Sequence, residues 1–71
     1  TNQELGERIR QRRKILRLRQ RDLAELAGVT LRGLTELEHG RENPTINQLA
    51  KIVEVLGLEL YLSKKSLHAS S

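Results

Sequence analysis

Three residues, Gly28-Val29-Thr30, separate two short apolar periodicities at residues 21–27 and 31–38, and that spacing constrains the chain more than any other feature. Leu23, Ala24, Leu26 and Ala27 recur at helical intervals before it, and Leu34 and Leu37 after it. Glycine at position 28 suits the left-handed residue that follows a helix. Thr30 suits the N-cap of the next helix, where its hydroxyl accepts from an otherwise unpaired backbone N–H. So short a connection is too tight for antiparallel packing, and the two helices must cross at a corner with Val29 turned inward. Residues 20–37 therefore form a helix-turn-helix pattern, and the rest of the chain is its support.

A first helix is expected over residues 1–16, opened by a Thr1-x-x-Glu4 capping box and carrying Leu5, Ile9 and Leu16 on one stripe. Arg13 lies on the same stripe. Burying an unpaired guanidinium costs several kcal/mol, so a carboxylate is required, and Glu38 at the end of the third helix is the expected partner. The alternative is that Arg13 runs its stem along the core and reaches solvent. Arg17 and Arg19 stand where a helix stop and a cap belong, and arginine suits neither position; the compensating gain is positive charge beside a polyanion. Leu18 is expected to plug the core between the first two helices.

Residues 39–44 read as a loop, with Gly40 as the helix stop and Asn43-Pro44 as a turn. Thr45 and Gln48 form a second capping box. Ile46, Leu49, Ala50, Val53 and Leu56 give the fourth helix its core stripe, and Ile52 and Val55 widen it toward a second apolar face. After Gly57 the period changes to two, with Leu58, Leu60 and Leu62 alternating with Glu59, Tyr61 and Ser63. A lone strand cannot satisfy its own backbone, so it is expected to pair with a symmetric second copy, the dimer interface comprising Ile52, Val55, Leu58, Leu60, Tyr61 and Leu62. The alternative is an extended tail whose leucines cover the core. The expected organisation is all-α, a compact four- to five-helix domain over residues 1–57, one short C-terminal β-strand at 58–63 that pairs across the dimer, and a flexible polar tail at 64–71.

Charge distribution says more than the net +4. Residues 1–21 hold eight basic side chains against Glu4 and Glu7, a local charge of +6, and the remainder sums to −2. A basic segment feeding a helix-turn-helix points to a phosphate backbone, the alternative being a solvated charged helix. Single strands are gripped largely by base stacking on aromatic rings, and Tyr61 is the one Phe, Tyr or Trp in the sequence, so double-stranded DNA is the favoured partner. The absence of cysteine excludes disulfides and thiolate metal sites and makes a cytoplasmic setting the simpler expectation; no apolar run is long enough to span a bilayer. His39 and His68 are isolated, and no phosphate loop, metal spacing or nucleophile constellation occurs, so neither an enzyme nor a cofactor or metal site is expected.

With Leu34 and Leu37 inward, the outer arc of the third helix carries Leu31, Arg32, Thr35 and Glu36, the expected base readers. Arg32 can fork onto guanine O6 and N7, Leu31 can touch a thymine methyl, and Glu36 can accept from a cytosine amino group. Arg19, Gln20, Thr30, Arg41 and Asn43 are the expected phosphate contacts, and Thr35 has a hydroxyl that could reach phosphate as well. Gly33 inside a helix costs up to about 1 kcal/mol relative to alanine, which a close approach to the second helix or to DNA would explain.

The run Gln20-x-x-Leu23-Ala24-x-x-x-Gly28-Val29-Thr30-x-x-x-Leu34-x-x-Leu37-Glu38-x-Gly40, followed by Asn43-Pro44 and the helix ending at Gly57, resembles the phage repressor and Cro (Xre-like) helix-turn-helix family over about residues 5–58. The resemblance implies a repressor-type helical domain, Gln20 on phosphate, the arc after Thr30 in the major groove and an internal Arg13–Glu38 pair. The chain departs at Arg17 and Arg19, where such proteins usually carry Gly and Ser or Thr. The ending at residues 56–62, Leu-Gly-Leu-Glu-Leu-Tyr-Leu, is similar to that of HipB-type antitoxins. That narrower likeness implies a bacterial or phage homodimer acting at the nucleoid. It would repress its own operon through a palindromic operator, as the antitoxin of a toxin-antitoxin pair with a cognate kinase toxin. The alternative function is a protein-interaction module that neutralises a toxin or contacts the transcription machinery and binds DNA without sequence preference.

Overall fold

The computed structural model describes residues 1–41 and 43–61 and is all-α: α1 (Asn2–Ile15), α2 (Gln20–Ala27), α3 (Leu31–Glu38) and α4 (Ile46–Val55). No strand occurs among the described residues; residues 58–61 form neither helix nor strand, and residues 62–71, with the rest of the expected strand and the polar tail, lie outside them. Helix starts follow side-chain chemistry. The Thr1 hydroxyl accepts from the Glu4 N–H at 3.1 Å, and the Thr45 hydroxyl accepts from Gln48, whose side chain in turn accepts from the Thr45 N–H.

All four helices stop in the same way. Just beyond each helix an N–H bonds back five positions, in Leu18 to Arg13, Val29 to Ala24, Arg41 to Glu36 and Leu58 to Val53, while the N–H of the residue before it bonds back three. That pattern needs a left-handed residue at the pivot. Gly28, Gly40 and Gly57 supply it at φ of 72°, 72° and 69°, and at the end of α1 it is Arg17, at φ 58°. A side chain there costs about 1–2 kcal/mol that glycine avoids, so the misfit of Arg17 noted from sequence is a real local strain.

The core is formed by Ile9, Leu23, Ala24, Ala27, Leu34, Leu37, Ile52 and Leu56, with Leu5, Leu18, Val29, Leu49 and Val55 packed at its edge. Each large aliphatic side chain removed from water there contributes about 1.5–3 kcal/mol. Four expected core positions lie elsewhere. Leu26 is 63% exposed because Leu23, Ala24 and Ala27 centre the buried arc of α2 about 100° away from it. Leu16 falls just past the end of α1 and leaves the stripe. In α4 the buried arc is rotated: Ile52, Val53 and Leu56 are inside, while Ile46 is 62% exposed and Ala50 is also outside. Ile52, assigned from sequence to a dimer face, is thus a core residue with nothing left to offer a partner.

Two contacts set the angle of α1. Gly6 backs directly onto the end of α3, where a Cβ would overlap the Leu37 carbonyl oxygen and come within 2.8 Å of the Glu38 carbonyl oxygen. At the other end, the Arg12 Nε donates to the Leu56 carbonyl at 2.9 Å, tying α1 to the close of α4.

Candidate nucleic-acid interface

The corner is built by its own residues. Gly28 turns the chain, and the Thr30 hydroxyl accepts from the Gly33 N–H at 3.0 Å to start α3. The nearest atom to a methyl on Gly33 is that hydroxyl, at 2.8 Å, so Gly33 marks no close approach to α2; room beside the cap is what it provides. Leu34 and Leu37 are buried against the core, which leaves Leu31, 47% exposed, and Arg32, also exposed, with Thr35 and Glu36 half-buried.

Behind this face runs a polar chain linking three helices. Arg13 donates to Glu38 twice, Nε to Oε2 at 2.7 Å and Nη2 to Oε1 at 2.9 Å, while Nη1 donates to the Leu18 carbonyl at 2.8 Å. Glu38 Oε1 also accepts from the Gln20 amide at 3.0 Å, and Gln20 Oε1 accepts from the Thr35 hydroxyl at 3.1 Å. The bond to Glu38 holds the Arg13 guanidinium above its ordinary pKa, against the opposing effect of burial. Among the described residues no buried side-chain nitrogen or oxygen lacks a partner, so the network is complete as it stands.

The expected phosphate contacts are placed unequally. Gln20 sits in the first turn of α2 and retains one amide N–H beyond its bond to Glu38. Arg19 stays 73% exposed while pairing with Asp22 at 3.0 Å, and the Asp22 carboxylate accepts the Arg19 backbone N–H at 2.9 Å. Arginine has no acceptor, so Asp22 alone performs the capping that an N-cap side chain would share. The same bonds depress the Asp22 pKa below its ordinary value, the Arg19 side chain contributing most and its backbone N–H next. Arg41 is paired with Glu36 at 3.3 Å, joining a sequence-predicted phosphate contact to a predicted reader. The Asn43 side chain accepts from Asn2, which draws that loop toward the start of α1.

Sequence reasoning passed over Arg10. It borders the same cleft as Gln20, Glu38 and His39, one helical turn before Arg13, and the i, i+3 spacing was the available signal. His39 is structural: its Nδ1 donates to the Thr35 carbonyl at 2.8 Å and closes α3. Among the described residues no group of His, Cys, Asp or Glu is placed to hold a metal ion, and no helix is long and apolar enough to cross a membrane.

The helix-turn-helix family model matches residues 9–62, from the middle of α1 to beyond α4. The chain belongs to the Xre-like helix-turn-helix family. Among solved structures it is similar to the restriction-modification controller protein C.AhdI from Aeromonas hydrophila, at 28% identity and a TM-score of 0.79 over 82% of this chain and 88% of that one. It is also similar to ClgR, the clp gene regulator from Corynebacterium glutamicum, at 33% identity and a TM-score of 0.77, covering 80% of this chain and 61% of ClgR. No curated protein matches the chain in sequence. The family assignment places α2 and α3 as the helix-turn-helix pair of an Xre-like domain.

Proposed function

We propose that this Xre-like chain is a sequence-specific, double-stranded DNA-binding transcriptional repressor that acts as a homodimer on a palindromic operator. The observation that carries the proposal is the burial of Leu34 and Leu37 on the inner face of α3, with Leu31 and Arg32 exposed in its first turn and the Thr35 hydroxyl bonded to Gln20 at the amino end of α2. First-turn side chains of such a helix meet base edges in the major groove, and the first helix of the pair meets the backbone. The solved relatives, a controller protein and a gene regulator, support regulation as the role. Arg32 then recognises guanine, Leu31 a thymine methyl and Glu36 a cytosine amino group, while Arg19, Gln20, Thr30, Arg41 and Asn43 hold phosphates.

Dimerisation is supported by Leu58, Leu60 and Tyr61, apolar side chains left 38%, 38% and 77% exposed after α4. One α3 alone contacts too few base pairs to choose an operator, which makes a second copy necessary for specificity. The antitoxin role rests on the likeness of residues 56–62 to HipB-type proteins, and the partner it entails is a kinase toxin. Selection from random duplex DNA, with the mass of the protein in solution measured in parallel, tests the proposal. A palindromic consensus and a dimer are expected. Salt-sensitive binding without sequence preference would overturn it in favour of an interaction module.

A further inference from the structure

The polar chain behind α3 has a direction. Both carboxylate oxygens of Glu38 accept from Arg13, so the group facing Oε1 must be a donor, the Gln20 amide nitrogen. That choice turns Gln20 Oε1 toward α3, where it accepts the proton of the Thr35 hydroxyl at 3.1 Å. A hydroxyl carries a single proton. With that proton committed inward, what Thr35 shows on its outer side is lone pairs and a methyl. Thr30 is the opposite case: its oxygen accepts from the Gly33 N–H, and its proton remains available.

We propose that the Arg13–Glu38–Gln20–Thr35 chain makes Thr35 an acceptor-only reader, selecting a base that presents an amino group in the major groove, adenine N6 or cytosine N4. This rests on α3 lying in the major groove, as proposed above. Guanine offers O6 and N7 there and thymine O4, all acceptors, so neither can bond to Thr35 in this state. Phosphate oxygens are acceptors as well, which removes Thr35 from the backbone contacts and leaves Thr30 suited to them. Arg13 and Glu38 touch no base but set which base is read, and Gln20 serves as a positioning residue in addition to its free amide N–H.

The test compares the full-length wild type with Thr35→Val, Thr35→Ser and Gln20→Met in selection from random duplex DNA, with folding of each variant checked by thermal melting. The wild type is expected to prefer adenine or cytosine by about five- to tenfold at one half-site position, the worth of a single good hydrogen bond. Thr35→Val should erase that preference and keep the others, while Thr35→Ser should preserve it. Gln20→Met should free the hydroxyl proton and admit guanine and thymine at the same position. If Gln20→Met fails to fold, the valine and serine variants still decide. A half-site altered by Arg32→Ala but indifferent to Thr35→Val overturns this inference and leaves the proposed function standing. So does a guanine or thymine preference at the position that Thr35→Val erases. Absence of any consensus in the wild type overturns both.

Discussion

The Arg13 guanidinium grips the Glu38 carboxylate at 2.7 and 2.9 Å, joining the last turn of α1 to the last turn of α3 with both side chains nearly inaccessible. Removing one partner strands the other. Glu38→Ala should lower stability by about 3–5 kcal/mol in urea unfolding. Replacing both residues together with apolar side chains of similar volume should restore much of the loss, since the desolvation of two charges disappears with them. A double variant as unstable as Glu38→Ala would show that the pair's other bonds, to Leu18 and Gln20, hold the fold.

Arg17 at φ 58° is the left-handed pivot that ends α1. Arg17→Gly should stabilise the protein by about 0.5–1 kcal/mol, the relief of strain exceeding the extra freedom of glycine in the unfolded chain. The same variant should bind DNA more weakly and flatten the salt dependence by about one phosphate contact if the exposed cation is kept for the backbone. Thermal unfolding and binding at several salt concentrations read the two effects separately.

Gly6→Ala tests close packing. Alanine is the better helix former by up to about 1 kcal/mol, but its methyl would overlap the Leu37 carbonyl oxygen. Forcing α1 away from α3 should cost about 1–3 kcal/mol net. Urea unfolding that shows a gain in stability would refute the contact.

Arg32 is exposed on α3 with no intramolecular ion pair among the described residues, whereas Arg41 is paired with Glu36. Arg32→Ala should cost about 1–3 kcal/mol in operator affinity and relax the choice at one base pair. Arg41→Ala should weaken binding to all sequences alike. Affinities on operator and scrambled duplexes distinguish the two patterns.

Asp22 supplies a pH test. Its folded pKa is depressed by Arg19, so the stability it contributes is complete above its ordinary value of 3.8 and is lost as pH falls through the lower folded value. Asp22→Asn should therefore be less stable than wild type at neutral pH, with the difference shrinking steadily below about pH 4. A constant gap from pH 7 to pH 2 would assign the effect to something other than the ionised carboxylate.

Much of this protein follows from sequence through local chemistry. Gly28, Thr30, Gly40, Thr45 and Gly57 mark the helix ends because turns and caps depend on residue types at fixed short spacings. Arg13 on an apolar stripe likewise demanded a carboxylate, whatever its distance along the chain. What periodicity could not decide was phase. Leu26 and Ile46 belong to apolar stripes yet lie outside, and Ile52 lies inside, because the buried arc of a short helix is set by the elements packed against it.

Pairings between helices were equally out of reach. Nothing in the sequence joins Gln20 to Thr35 or Glu36 to Arg41, since those bonds exist once α2, α3 and the following loop are brought to one place. The sequence by itself determined where the helices begin, where they end, and which residues α3 turns outward. The tertiary structure decided which polar groups were already occupied before any partner arrives, because a hydrogen bond requires proximity in space and a proton can be given once.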